Sequence, residues 1–211
     1  VRKALAGEFF GTALMVGVGC GSVALGASHA VVSMTFGLAV TCAILLFGSW
    51  SGAHINPAVT LAFWRDGQLE TAKVGPYMLA QYSGAFVAAI AVQAAAPTNV
   101  QPHLHPLEGF AIELVITALL MASILLVVQR TSSRTVIAVW VGGTVALLAF
   151  LAGPLTGASM NPARTFGPNV LGGMLYSLPF YISSTTLGAW FACDLKSRFF
   201  PDKSLNSEAN T

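Results

Sequence analysis

The tripeptide Asn–Pro–Ala occurs twice, as Asn56-Pro57-Ala58 and Asn161-Pro162-Ala163, each time among apolar residues. Asn–Pro is turn chemistry that interrupts helices and sheets alike, so it is costly wherever regular structure must continue. The copies lie 105 residues apart, and the same offset carries Glu8 onto Glu113, Thr12 onto Thr117 and Ser51 onto Thr156. It also carries Gly52 onto Gly157 and Ala53 onto Ala158. Two copies in register with a glutamate and a Gly-Ala step define a duplication, with one repeat over 1–105 and the other over 106–211.

What surrounds the breaks decides their setting. Only 9% of the 211 residues are Asp, Glu, Lys or Arg, against about 25% in a soluble domain, and the mean hydropathy is +0.73. So few charges cannot cover a water-facing surface, and the bilayer becomes the expected partner. About 20 apolar residues cross a membrane as helix. Six stretches qualify, near 4–26, 31–50, 75–96, 108–129, 135–153 and 177–195. Arg2 and Lys3 give the first the look of a signal peptide, but its apolar part exceeds a signal core and five spans follow, so it is read as retained. Two apolar pieces remain, 56–65 and 161–170. Ten helical residues rise about 15 Å, half the hydrocarbon thickness. They can enter the membrane but not cross it.

With three crossings per repeat, the second repeat enters from the opposite side, so the repeats are inverted and their half-helices meet near the midplane. Proline suits a first helical turn, and asparagine before it is a strong cap. Each Asn–Pro therefore starts a half-helix in mid-membrane. The lead-in segments 52–55 and 157–160 must be non-helical, which at that depth requires a watery cavity or close packing by protein. Their glycines permit unusual dihedrals and their carbonyls can face a pore. A channel is the expectation.

Nine of the ten basic residues fall on the side of the termini, which places both termini in the cytoplasm by the positive-inside rule. The tenth, Arg164, follows the second Asn–Pro–Ala directly. A guanidinium at that depth should face a pore and be held by carbonyls. The net charge of +2, with the basic residues at segment ends, gives no footprint for nucleic acid. Cys20, Cys42 and Cys193 sit in apolar stretches and are expected to be buried small hydrophobes. His103 and His105 read as part of a solvated loop rather than a metal site. The runs around Gly17-Gly19 and Gly142-Gly143 should allow close helix approach, and the polar tail from about 199 is expected to be flexible. No cofactor is expected, nor an enzyme, since no nucleophile–base pair or metal set is visible. Short loops without a glycosylation acceptor fit a bacterial inner membrane.

The boxes SGAHINPAV and TGASMNPAR, with the early GEFFGT stretch, resemble the aquaporin (major intrinsic protein) family from about Ala4 to about Cys193. The resemblance implies an all-α membrane protein: six transmembrane helices and two re-entrant half-helices in a right-handed bundle, assembled as a homotetramer with one pore per subunit. It implies that the amides of Asn56 and Asn161 donate to a passing water and interrupt proton relay, and that the carbonyls of Gly52, Ala53, His54, Gly157, Ala158 and Ser159 form acceptor ladders. Glu8 and Glu113 would accept hydrogen bonds from the re-entrant loops, with His54 a neutral loop-fixing group. The family's selectivity filter falls on Phe36, Ala149, Ala158 and Arg164. A one-residue shift would put Phe150 in place of Ala149 and narrow the pore.

Phe36 and Arg164 fit the usual pattern. Ala149 and Ala158 stand where water-selective members typically carry histidine and cysteine or threonine, which implies a wider, less polar constriction. The second aromatic of glycerol facilitators is absent, and Thr165 replaces the Asp they tend to carry after the arginine. Phe180-Tyr181 looks more like the water-channel pattern, whereas GASMNPAR resembles plant nodulin-type channels that pass small neutral solutes. The expected function is a passive channel for water and small uncharged solutes. A small-solute facilitator (glycerol, urea or metalloid hydroxides) with water secondary is the alternative within the class, and a proton-coupled transporter using Glu8 and Glu113 the alternative outside it.

Overall fold

A computed structural model of the chain describes residues 1–199; the polar tail lies outside the described residues. Six long helices, α1 (Arg2–Ala24), α2 (His29–Ser51), α4 (Thr71–Ala91), α5 (Pro106–Arg130), α6 (Arg134–Thr156) and α8 (Leu178–Phe199), surround two short ones, α3 (Pro57–Arg65) and α7 (Pro162–Leu171). The fold is the all-α membrane bundle anticipated. By length and hydropathy alone α1, α2, α5 and α6 qualify as spans. The polar residues of α4 and α8 dilute their apolar character, and several of those residues are turned inward: Gln81, Ser184 and Thr185 are fully buried.

The packing rests on small residues. Gly37 of α2 and Gly142 of α6 face each other so closely that a Cβ on either would strike the other's carbonyl. Thr41 Oγ1 also donates across this crossing to Ala138 O, at 3.2 Å. Gly84 of α4 abuts the carbonyl of Phe9, and Gly188 of α8 abuts that of Leu114 in the same way. Only glycine permits such approach, and close approach is what dispersion between helices in lipid requires. Gly143 differs from its neighbour: its Cα faces open space on the outer surface of α6.

α3 packs chiefly on α8, and α7 chiefly on α4, so each half-helix rests on a long helix from the other half of the chain. Below α3, Lys196 Nζ donates to both carboxylate oxygens of Asp66, at 3.0 and 2.7 Å, with both side chains 9% exposed. Beside it Arg65 pairs with Asp194, but in the open.

Two sequence expectations need correction, and the connection that carries the exposed His103 and His105 is also tied down at other points. The third span ends at Ala91 rather than 96, because the backbone turns through positive φ at Gln93, Ala94 and Ala96. Cys42 is exposed on the outer face of α2, where the helical period points it away from the core, whereas Cys20 and Cys193 are buried. The 92–105 connection is not a free loop. Thr98 is fully buried, its N–H donating to Asn169 Oδ1 and its O accepting from Asn169 Nδ2, both at 2.9 Å. Gln101 N–H donates to Leu155 O at 2.9 Å. His105 caps α5 by accepting from Leu107 N–H while Glu108 accepts from His105 N–H.

Breaking the buried Asp66–Lys196 pair with Asp66→Ala should destabilise the protein by about 3–5 kcal/mol. Asp194→Ala, which breaks the exposed pair, should cost below about 1 kcal/mol. Denaturant unfolding in micelles measures both.

Candidate functional site: a cavity between two half-helix tips

Non-helical backbone in mid-membrane must find partners for every N–H it exposes. α2 ends at Gly52 and α6 at Gly157, both left-handed (φ 89° and 79°), as helix ends favour. The next residues repeat one unusual pattern: φ is 48° at Ala53 and 46° at Ile55, 42° at Ala158 and 51° at Met160. Non-glycine residues rarely hold such angles, and a surrounding bond network must enforce them.

The network is supplied by two buried carboxylates. Glu8 Oε1 accepts from His54 N–H at 2.9 Å and Oε2 from Ile55 N–H at 2.7 Å. Glu113 Oε1 accepts from Ser159 N–H at 2.9 Å and Oε2 from Met160 N–H at 3.1 Å. Gln81 adds a donor to Glu8, and Thr156 Oγ1 adds one to Glu113. Ala53 N–H reaches Ser51 Oγ, and Ala158 N–H reaches Thr156 Oγ1. Tyr77 and Tyr181 donate to the carbonyls of Ser51 and Thr156 just upstream. Tyr181 is therefore an anchor behind the loop. His54 Nδ1 lies 3.2 Å from Thr60 Oγ1 and its ring stacks on Phe63. Ser159 and Thr165 pair at the corresponding positions.

With the N–H groups so engaged, Gly52, Ala53, His54, Gly157, Ala158 and Ser159 line one cavity of about 500 Å³. Their carbonyls accept no backbone hydrogen bond from another described residue. Asn56 and Asn161 close on the same cavity from α3 and α7. Asn56 Oδ1 accepts from Ala58 N–H and Asn161 Oδ1 from Ala163 N–H, each at 2.9 Å. Asn56 Nδ2 donates to Met160 O and Asn161 Nδ2 to Ile55 O, each at 2.8 Å. Each amide thus ties its tip to the opposite loop. A carboxamide has two N–H donors, which leaves the second for the cavity. That of Asn161 has only the weak acceptor Met15 Sδ, at 3.7 Å, among the described residues. Pro57, Pro162, Ala58 and Ala163 are buried behind these tips.

Toward the mouth bordered by the 92–105 connection, Arg164 lines the cavity and is 6% exposed. Nη1 donates to Ala96 O at 2.8 Å, and the guanidinium lies 5.1 Å from the Phe36 ring centroid. The positive φ of Ala96 is what turns this carbonyl inward, a feature no motif in the sequence announces. Ala149 and Ala158 line the cavity beside Phe36 and Arg164. Phe150 does not; it is half exposed and its ring stacks on that of His29. The remaining wall is mostly apolar, with Val40, Ile44, Val141 and Val145 among its residues beside the polar His29, Ser33, Asn99 and Gln101, and no carboxylate lines it among the described residues.

Two helix N-termini meeting inside a membrane, around a cavity lined by amides, carbonyls and one arginine, define a polytopic channel-type protein. Comparison with known proteins agrees. The family described as Major intrinsic protein matches residues 1–195. The glycerol uptake facilitator protein of Escherichia coli (strain K12) is 36% identical, over 77% of this chain and 71% of its own. Aquaporin NIP1-3 of Oryza sativa subsp. japonica is 35% identical, over 86% of this chain and 68% of its own. The solved aquaglyceroporin from Plasmodium falciparum has the same fold, with a TM-score of 0.87 at 24% identity, covering 98% of this chain and 99% of the other. The chain belongs to the major intrinsic protein family of membrane channels.

Glu113→Gln replaces one acceptor by a donor facing a loop N–H. It should lower stability by about 1–3 kcal/mol, the cost of an unsatisfied buried group, and Glu113→Ala by more. Thermal melts in detergent order the two.

Proposed function

We propose that the protein is a passive channel for water and small uncharged solutes that excludes protons and ions. The observation that carries this reading is the pair of reciprocal 2.8 Å bonds from Asn56 and Asn161, which hold both amides at one point of one cavity. A solute oxygen there accepts from two fixed donors, so a water must turn its own hydrogens away along the pore and cannot relay a proton. The two helix N-termini and Arg164 add a positive potential that opposes cations. The carbonyls of Gly52, Ala53, His54, Gly157, Ala158 and Ser159 replace lost hydration in steps on either side.

Phe36, Ala149, Ala158 and Arg164 form the filter in this reading, and the outward position of Phe150 supports that register. Two alanines leave room for solutes larger than water, and relatives named as glycerol uptake facilitators favour such passage. Glu8 and Glu113 act as loop supports. Their oxygens are occupied by backbone and side-chain donors, an arrangement that a proton-carrying carboxylate would have to break in every cycle. No enzymatic step is assigned. The two repeats are inverted, both termini lie in the cytoplasm of a bacterial cell, and four subunits assemble with one pore each.

Stopped-flow light scattering on proteoliposomes tests the reading: water flux no faster than in empty vesicles overturns it. Ala149→His should cut glycerol flux at least about tenfold, equivalent to about 1.4 kcal/mol of added barrier, and should reduce water flux less.

A further inference from the structure

Pro154 lies inside α6. Having no N–H, it cannot donate to the carbonyl four residues earlier, so the oxygen of Phe150 loses its helical partner. His29, the first residue of α2, fills the gap: its Nε2 lies 2.8 Å from Phe150 O. The acceptor is a carbonyl, so Nε2 carries the proton and Nδ1 is left with a lone pair in the neutral ring. The ring stacks on Phe150 at 5.3 Å and its edge lies against Gly153, where a Cβ would meet Cε1. Gly153 is thus the seat of the imidazole. Backbone anchoring comes from Ser33 Oγ, which donates to His29 O at 2.9 Å.

His29 and Gly153 line the cavity at its outer end, one helical turn along α6 from Ala149. Among the described residues, the charged or titratable side chains on the cavity wall are His29, Arg164 and His54, the last beyond the Asn tips. The elements that hold the ring, α6 through Phe150 and Gly153 and its own helix through Ser33, present no titratable group to it among the described residues. Arg164 offers only donors. Neutral His29 offers an acceptor before it. A solute that carries hydroxyl groups can donate to one and accept from the other.

We propose that His29 is a specificity-determining residue of the outer mouth, where its neutral Nδ1 accepts a hydrogen bond from hydroxyl-bearing solutes and hands them to Arg164. This rests on the channel reading above. A side chain with no acceptor at this position removes that hydrogen bond and leaves the mouth open. Glycerol permeability should therefore fall by about threefold when His29 is replaced by alanine, the worth of one hydrogen bond in water, with water permeability changing less.

The test measures glycerol and water flux at one pH in wild type, His29→Gln and His29→Ala proteoliposomes, with folding checked by the circular-dichroism melt. Glutamine can donate to Phe150 O through its amide N–H and keeps a carbonyl acceptor, so His29→Gln should retain most of the glycerol flux, whereas His29→Ala should lose about threefold relative to water. A glycerol-to-water flux ratio that is unchanged in His29→Ala overturns the proposal. A ratio that falls equally in His29→Gln and His29→Ala overturns it too. Water flux in the wild type at pH 7.5 tests the channel reading separately.

Discussion

A carboxylate in the middle of a membrane protein, with backbone N–H groups for partners, is the interaction on which the rest of this structure depends. Peptide groups outside a helix cannot be solvated by lipid, so the lead-in loops exist only because Glu8 and Glu113 accept what water would otherwise accept. The arrangement also fixes the direction of every peptide in those loops. Once the N–H groups point backward at glutamate, serine and threonine, the carbonyls must point forward. The polar lining of the cavity is thus a by-product of how the loops are held.

The same logic explains the shared asparagines. Each amide oxygen caps its own half-helix, and one amide N–H crosses to the other loop. Capping, pinning and a donor toward the cavity are divided among three sites on one small side chain. Alanine at the next-but-one position keeps the tips slim, and proline between them needs no donor. Arg164 gains its stability from the Ala96 carbonyl and the Phe36 face together. Neither partner is close to it in sequence.

Much of this was legible in the amino-acid order because the duplication compares the chain with itself. Residues that recur at one offset in both halves, Glu8 and Glu113 or Asn56 and Asn161, announce a common task. What recurs nowhere stayed hidden. Ala96 is one more alanine in an Ala-rich run, and only the turn through positive φ after Ala91 reveals its carbonyl as a ligand. Thr98 and Asn169 are 71 residues apart with no matching pair in the first half. Cys42 lies in an apolar run like Cys20, and helical phase alone separates the exposed thiol from the buried one. His29 did have a signal: a proline inside a span leaves a carbonyl four residues upstream in need of a donor. The spacing says that such a donor exists but not which residue brings it.

The exchange of supports between halves has a consequence for biosynthesis. α3 leans chiefly on α8, and α7 on α4. While the ribosome is still making the second half, the first stub has emerged without most of the wall it needs, and its lead-in loop is held only by first-half residues such as Glu8, Ser51 and Tyr77. The helix that seats the earliest stub is made after every other described helix. A chain cut short before α8 would therefore carry an unfinished cleft into the bilayer.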